Sequence, residues 1–370
     1  MDFSRMSSQV AAPARLLAFY LPQFHPTPEN DLWWGKGFTE WRNVVRAQPL
    51  FPGHYQPHLP ADLGFYDLRL GEAREAQAAL AREFGIHGFC YFHYWFNGHR
   101  VLNAPFDDVL ASGKPDLPFC LCWANEDWTR AWDGLSGEIL LGQRYSEEDD
   151  RRHAQWLVRA FEDDRYIRVD GRPLFLVYRA SLLPDPTRTT AIWREEAERL
   201  GVGDLFLCRV ESTAKEHSDP TALGFDAAVE FQPDWSRLGR ALRRGRHWSL
   251  LRKMRLSNAA FGTHRIYDYS SILHRMLETP SPPYRRFPCV TPSWDNTPRR
   301  AADGVVLRES TPELYGRWLR GAIDRTASES GEEKLVFINA WNEWGEANHL
   351  EPCQRWGRAY LEATRAIVEG

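Results

Sequence analysis

The segment 338-INAWNEWGEANHLEP-352 places two glutamates, Glu343 and Glu346, three residues apart among Trp341, Trp344 and Gly345. Two carboxyl groups that share one space can divide acid and base duties, one giving a proton while the other takes one. The segment follows the apolar run 334-KLVFINA-340, which reads as a buried strand. Along a continuing strand, residues three apart face opposite sides, so the two acids would diverge. They meet only if the strand ends near Trp341 and the chain turns. Gly345 favours such a turn, because glycine adopts backbone conformations that other residues resist. Acids set between indoles are also poorly solvated, which raises a carboxyl pKa and prepares a general acid. The plainer alternative is a solvated turn flanked by core tryptophans.

Positioning such a pair requires a rigid frame, and the chain carries one. Eight short, nearly continuous apolar runs recur: 16-LLAFYLPQF-24, 88-GFCYFHYW-95, 118-PFCLCWAN-125, 173-PLFLVYR-179, 204-DLFLCRVES-212, 225-FDAAVEFQP-233, 286-RFPCVTPSW-294 and 333-EKLVFINAW-341. Strands buried on both faces of a parallel sheet have this pattern. Helical patterns fill most gaps, at 70–85, 147–163, 191–201, 312–327 and about 353–368. Thr311 and Pro312 read as N-cap and first helical residue of the fourth, and 147-EEDD-150 suits the positive end of a helix dipole. This alternation predicts a single (β/α)8 TIM barrel over 16–370, preceded by a tail at 1–15. An open doubly wound sheet is the competing architecture. It normally shows a Gly-rich phosphate turn after its first strand, where this chain reads LPQFHPTPEN. Two connections exceed simple loops: 25–68, expected over the C-terminal face of the barrel, and an insertion at 235–284 after strand six. Within the latter, 237-RLGRALRRGRHWSLLRKMRL-256 has eight Arg or Lys among leucines and reads as a basic helix. It either packs its leucines on the barrel or lies on an anionic membrane bearing lipid-linked glycans.

Barrel enzymes build their sites at the C-terminal ends of the strands. Those ends carry Gln23 and His25; His93, Tyr94 and Trp95; Trp123, Asn125, Glu126, Trp128 and Arg130; and Tyr178 and Arg179. Further round come Glu230 and Gln232; Trp294, Asp295 and Asn296; and Trp341, Asn342, Glu343 and Glu346. Carboxylates and amides bind sugar hydroxyls, and flat aromatic faces pack on sugar C–H surfaces. From this ring His25, Tyr94, Trp95, Trp123, Asn125, Glu126, Trp128, Arg130, Tyr178, Glu230, Trp294, Asp295 and Asn342 are the candidate substrate contacts. Glu126 has the alternative of a structural ion pair with Arg130. His25 has the alternative of a satisfied buried histidine, and Glu230, inside an apolar run, needs a partner if buried.

Bulk properties agree with a carbohydrate ligand. The 370 residues include 16 Trp, 13 Tyr and 20 Phe, and the formal net charge of −4 argues against a nucleic-acid partner. The six cysteines form no CxxC pair and no zinc-type cluster, which suits free thiols in a reducing compartment. With no secretory leader pattern at its start and no membrane-length apolar run, the chain is expected to be cytoplasmic.

Several of these motifs are familiar. The stretch 342-NEWGEANHLEP-352 resembles the NEWHEG…IEP signature of family 99 of the glycoside hydrolases, the endo-α-mannosidases and endo-α-mannanases. The motifs 19-FYLPQFHP-26, 91-YFHYWFNG-98 and 123-WANEDWTRAWDG-134 resemble more closely the WbsX-like group, a sister group often described as glycosyltransferases of surface-polysaccharide biosynthesis. Together they cover about residues 16–352. The resemblance implies a (β/α)8 barrel without metal or organic cofactor. It implies that Glu343 acts as base on the sugar's 2-hydroxyl and that Glu346 protonates the leaving oxygen, then activates water. Configuration is thereby retained through a 1,2-anhydro sugar. Gly345 stands where the motif has histidine, and Ala347-Asn348-His349 where it has Gly-Thr-Gln. Three functions follow for testing: an endo-acting glycosidase on a bacterial-type polysaccharide, a glycosyltransferase of O-antigen or similar glycan, and an inactive carbohydrate-binding barrel.

Overall fold

The computed structural model describes residues 14–130, 135–242, 260–329 and 331–370, with the backbone alone at 130, 135–137 and 262. Each apolar run forms a strand of one parallel sheet: β1 (Arg15–Tyr20), β2 (Ile86–Phe96), β3 (Phe119–Trp123), β4 (Arg172–Val177), β5 (Phe206–Glu211), β6 (Ala227–Glu230), β7 and β8 (Leu335–Ile338). Strand β7 is divided at Pro288 into Arg286–Phe287 and Cys289–Val290. Proline has no N–H to give the ladder, which is why the strand breaks there. The first piece pairs with β6 and the second with β8, while β8 pairs with β1. The sheet thus closes as a (β/α)8 barrel.

Both faces of the sheet are buried, so the strands carry almost no polar residues until their C-terminal ends. Inside, Phe19 stacks on Phe92 at 5.5 Å and meets Phe231 and Phe337 at 5.6 and 5.5 Å, filling the barrel with aromatic rings. Gly88 lets β2 and β3 close up, since a Cβ there would stand 2.4 Å from the Pro118 carbonyl oxygen. Gly88→Ala is therefore expected to lower stability by about 1–3 kcal/mol, read as a lower urea midpoint at unchanged slope.

The outer helices are α3 (Gly71–Glu83), α4 (Ala104–Ser112), α5 (Glu147–Phe161), α6 (Pro186–Arg199), α7 (Tyr269–Leu277), α8 (Pro312–Asp324) and α9 (Ala359–Glu369). Their starts follow the expected chemistry. Ser146 accepts the Asp149 N–H ahead of four acids, and Thr311 accepts the Leu314 N–H with Pro312 next. Between β5 and β6 the connection holds only 3₁₀ turns.

The long connection after β1 folds over the mouth, with α1 (Pro28–Trp34) and α2 (Trp41–Arg46) as short helices. The indole of Trp41 donates to the Tyr66 carbonyl at 2.9 Å and fixes this cover. Residues 235–284 are not simply the expected helix. Arg265–Asp268 forms a strand parallel to Val305–Arg308, which also pairs with Trp294–Asp295 just beyond β7. Most of the basic segment 237–256 lies outside the described residues. Its described start is irregular, with Leu238 buried and Arg237 paired to Asp234 at 3.2 Å.

Candidate active site

After Ile338 the chain leaves β8 and makes a tight hairpin in which Asn342–Glu343 pairs antiparallel with Asn348–His349. Its tip is a 3₁₀ turn, Trp344–Glu346. In 3₁₀ geometry residues three apart eclipse one another, so Glu343 and Glu346 come to the same face. The turn's left-handed residue is Ala347, at φ 46°, and not Gly345. Gly345 is required for room: a Cβ there would sit 2.5 Å from Oε1 of Glu40 and 2.6 Å from Nε of Arg299. The motif's two tryptophans point away from the acids. Trp341 and Trp344 are buried in the core; the Trp344 indole donates to Oε2 of Glu351 at 2.6 Å and stacks on His349.

Both acids open on a cavity of about 570 Å³ above the barrel, floored by Phe92 and Phe231. Arg299 lies between them. Its Nη2 donates to Oε1 of Glu343 at 2.8 Å, its Nη1 stands 3.3 Å from Oε1 of Glu346, and its Nε donates to Oε1 of Glu40 at 2.8 Å. Gln23 adds a 3.2 Å bond to Oε1 of Glu343. One guanidinium thus faces three carboxyls. Burial pushes Glu343 up to about 8, opposed by Arg299 and helped by Glu346 and Glu40. Glu346 is raised by the same burial, again against Arg299. Desolvation of two neighbouring acids leaves the pair holding a proton near neutral pH, and the proton belongs to the pair rather than to one residue.

Of the residues singled out from sequence, Tyr94, Glu126, Trp128, Tyr178 and Trp294 line this cavity with Glu343 and Glu346, as do Gln23, Arg179 and Asn296. Glu126 pairs with Arg179 at 3.0 Å. The remaining candidates lie elsewhere, each for a visible reason. On β2 alternate residues face opposite sides, so Tyr94 enters the cavity while Trp95 turns outward, stacks on His153 and donates to Asp149 at 3.1 Å. The Trp123 indole donates to the Trp95 carbonyl at 3.1 Å. Asn125 exchanges two 2.9 Å bonds with the backbone of Arg179, and Asn342 does the same with Leu21 at 2.8 and 3.0 Å. These two amides extend the sheet past its last ladder bonds.

Glu230 is locked beneath the floor by Arg286 at 2.8 Å and Arg325 at 3.0 Å. Asp295 spends all four of its bonds on His54, Gln56 and the Thr297 backbone and hydroxyl. His25 is buried and held down to about 4 by desolvation. The side chain of Arg130 lies outside the described residues. No group of His, Cys, Asp and Glu among the described residues is placed to hold a metal ion.

Sequence reading missed Glu40 and Arg299, together with Trp33, Trp34, Phe38, Trp235 and Asn339, all of which line the cavity. Glu40 and the first three lie in the cover after β1, where no periodicity announces a direction. Arg299 stands in 294-WDNTPRR-300, three residues past the assigned strand end; the only signal was two arginines beside a proline.

The (β/α)8 barrel is a fold that this chain shares with solved structures of glycoside hydrolases. Solved structures of this fold include the GH99 endo-alpha-mannosidase from Bacteroides thetaiotaomicron, with a TM-score of 0.58 at 16% identity over 96% of each chain. A glycoside hydrolase-like protein gives 0.60 at 15% identity, over 97% of this chain and 95% of that one. The chain belongs to the WbsX family: residues 16–364 match the family model described as Glycosyltransferase WbsX. It is 46% identical over 357 residues to the uncharacterized protein WxcX of Xanthomonas campestris pv. campestris, strains B100 and ATCC 33913. That match covers 96% of this chain and 50% of each WxcX, so the chain spans about half the length of these relatives. Among the described residues no helix is long and apolar enough to cross a membrane.

Proposed function

We propose that the chain is a retaining, endo-acting glycosidase that cuts a bacterial-type polysaccharide, with Glu343 and Glu346 as the reacting acids. The opening of both carboxyls on one cavity, against one guanidinium, carries this reading. In the first step Glu343 takes the proton of the sugar's 2-hydroxyl as that oxygen attacks the anomeric carbon. The bond to the leaving oxygen breaks, and Glu346 supplies the proton that oxygen needs. In the second step water opens the 1,2-anhydro ring at the anomeric carbon, giving its proton to Glu346, while Glu343 returns the first proton to the 2-oxygen. Two inversions at one carbon give retention. One proton on the pair is the ionisation state this scheme starts from, which accords with the raised carboxyls.

Endo action is supported by aromatic walls on two sides of the mouth. Trp128 meets Trp33 at 5.8 Å and Tyr94 at 5.2 Å beside β2 and β3, and Trp235 meets Trp294 at 4.9 Å beside β6 and β7. In a ring of eight strands these positions face one another, so sugar rings can stack on both sides of the acids. Six buried, unpaired cysteines support a cytoplasmic location.

The family's description favours a second reading, a glycosyltransferase of surface-polysaccharide assembly. Among the described residues the cavity's charge weighs against a nucleotide-diphosphate donor. Glu40, Glu126, Asp127, Glu343 and Glu346 face Arg179, Arg299 and Arg300, and two of those guanidinium groups already serve acids. The test is incubation with a panel of α-mannans and O-antigen polysaccharides, followed by NMR, beside calorimetry against nucleoside diphosphates. Shortened chains released with retained anomeric configuration, and no nucleotide binding, are expected. Specific nucleotide binding would favour the transferase, and glycan binding without product the inactive barrel.

A further inference from the structure

We infer that Glu40, Arg299 and the bare backbone of Gly345 form one positioning unit, which fixes the Glu343/Glu346 pair in place and sets how many protons it holds. The inference rests on the proposed role of that pair. Three distant segments meet in this unit: the cover after β1, the segment after β7 and the hairpin after β8. Each of three nitrogens of Arg299 serves a different carboxyl, Nε that of Glu40, Nη2 that of Glu343 and Nη1 that of Glu346. The guanidinium therefore holds Oε1 of both reacting acids. Among the described residues Oε2 of each takes no hydrogen bond, which leaves that oxygen to a substrate.

Glu40 is itself buried, with a side chain 2% exposed. Its Oε1 takes Arg299 and the Asn43 amide at 3.2 Å, and its buried Oε2 takes nothing. The Arg299 ion pair is what offsets the burial of this carboxyl.

Gly345 ties the unit to the motif. A Cβ there would stand 2.5 Å from Oε1 of Glu40 and 2.6 and 2.8 Å from Nε and Nη2 of Arg299. Any side chain at 345 would displace the ion pair. The NEWHEG signature that this stretch resembles has a histidine at that position. Here position 345 has no side chain, and a guanidinium delivered from another strand end lies against its backbone. A histidine's charge varies through neutral pH, whereas a guanidinium's does not. The pair therefore works beside a fixed positive charge, with the Glu40 carboxyl on its far side.

Among the described residues the other groups facing the acids are few. Gln23 and Tyr94 face Glu343, and Arg300 and Tyr178 face Glu346; both tyrosines are buried with raised pKa and stay neutral. Glu40 is thus a further acid against Glu343, and neutralising it should weaken the pair's hold on its shared proton.

Carboxyl titration of the full chain tests this without any substrate. Carbon-13 side-chain carboxyl NMR would follow Glu343 and Glu346, assigned by the signals lost in Glu343→Gln and Glu346→Gln. Glu40→Gln is expected to lower the Glu343 midpoint by about one pH unit, a tenfold weaker hold on the proton. Glu40→Asp, which keeps the charge on a shorter arm, should leave it raised, and Arg299→Met should raise it further. Gly345→Ala should move both midpoints by displacing Arg299. A Glu343 midpoint unchanged in both Glu40→Gln and Arg299→Met would overturn the inference. If Glu40→Gln fails to fold, the Arg299→Met and Gly345→Ala titrations decide alone. Shifted midpoints in a chain that cuts no glycan would keep the positioning unit and sink the glycosidase reading. In the active case the alkaline limb of kcat moves down with Glu40→Gln while KM changes little, which a purely structural residue would not produce.

Discussion

Replacing Glu346 with glutamine is expected to lower turnover by about a thousandfold or more, and Glu343→Gln by a similar factor, with the fold intact. Glutamine keeps the volume and the hairpin but can neither give nor take the proton. Stability should not fall in either variant. Both carboxyls are buried, and burial raises both, so each native charge costs free energy that an uncharged amide does not. Thermal midpoints equal to or above the wild type, beside lost activity, would separate chemistry from scaffold. Leaving-group chemistry then assigns the roles. An aryl glycoside whose leaving phenol needs no protonation should restore the first step, read as a burst of phenol release, in the variant lacking the acid, expected to be Glu346→Gln, and not in the one lacking the base. Near-normal turnover in both variants would remove the pair from the mechanism. The pH profile follows from the same groups. Above about 8 the pair loses its last proton, so turnover should decline through that pH.

How far the sequence reached is clearest at β2. Its apolar run announced a doubly buried strand, and the structure has one at Ile86–Phe96. Period-two alternation alone could have separated Tyr94, which enters the cavity, from Trp95, which leaves it. Asn125 and Asn342 mislead for a subtler reason. A strand-end amide suits a sugar hydroxyl and a neighbouring peptide group equally well, and here each completes a peptide pair with the end of the adjacent strand. Glu230 was read as needing a partner, and the strand-end pattern could not tell that two arginines wait for it under the floor. Arg299 and Glu40 were beyond local reading altogether. They lie 259 positions apart, and only closure of the barrel brings them to one hairpin. The two acids that share the cavity were legible because their spacing is local; the group that joins them is not.

The largest loss of stability is expected from Glu351→Ala, about 3–5 kcal/mol, measured as a drop in urea midpoint at constant slope. Glu351 belongs to the same motif but faces away from the cavity. Its carboxyl accepts from the Tyr66 hydroxyl at 2.7 Å, the Gln77 amide at 2.6 Å and the Trp344 indole at 2.6 Å. It therefore ties the cover, α3 and the hairpin into one joint. Alanine leaves three buried donors unpaired and a void beneath Trp344, and neither is repaired by small shifts of a packed core. Burial pushes the Glu351 carboxyl up to about 7 despite those three donors. The folded state thus holds its proton more tightly than the unfolded chain, in which a glutamate titrates near 4.3. That contribution is complete below the unfolded value, shrinks as pH rises and is gone above about 7. The wild-type minus Glu351→Ala difference in stability should accordingly narrow between those values, while the parallel slope from Glu343 persists in both proteins. Because the hairpin carries Glu343 and Glu346, the proposed reacting acids, on its other face, loosening the joint should also lower kcat under conditions where the variant remains folded. A variant as stable as the wild type would mean that the cover and the hairpin are held by packing alone.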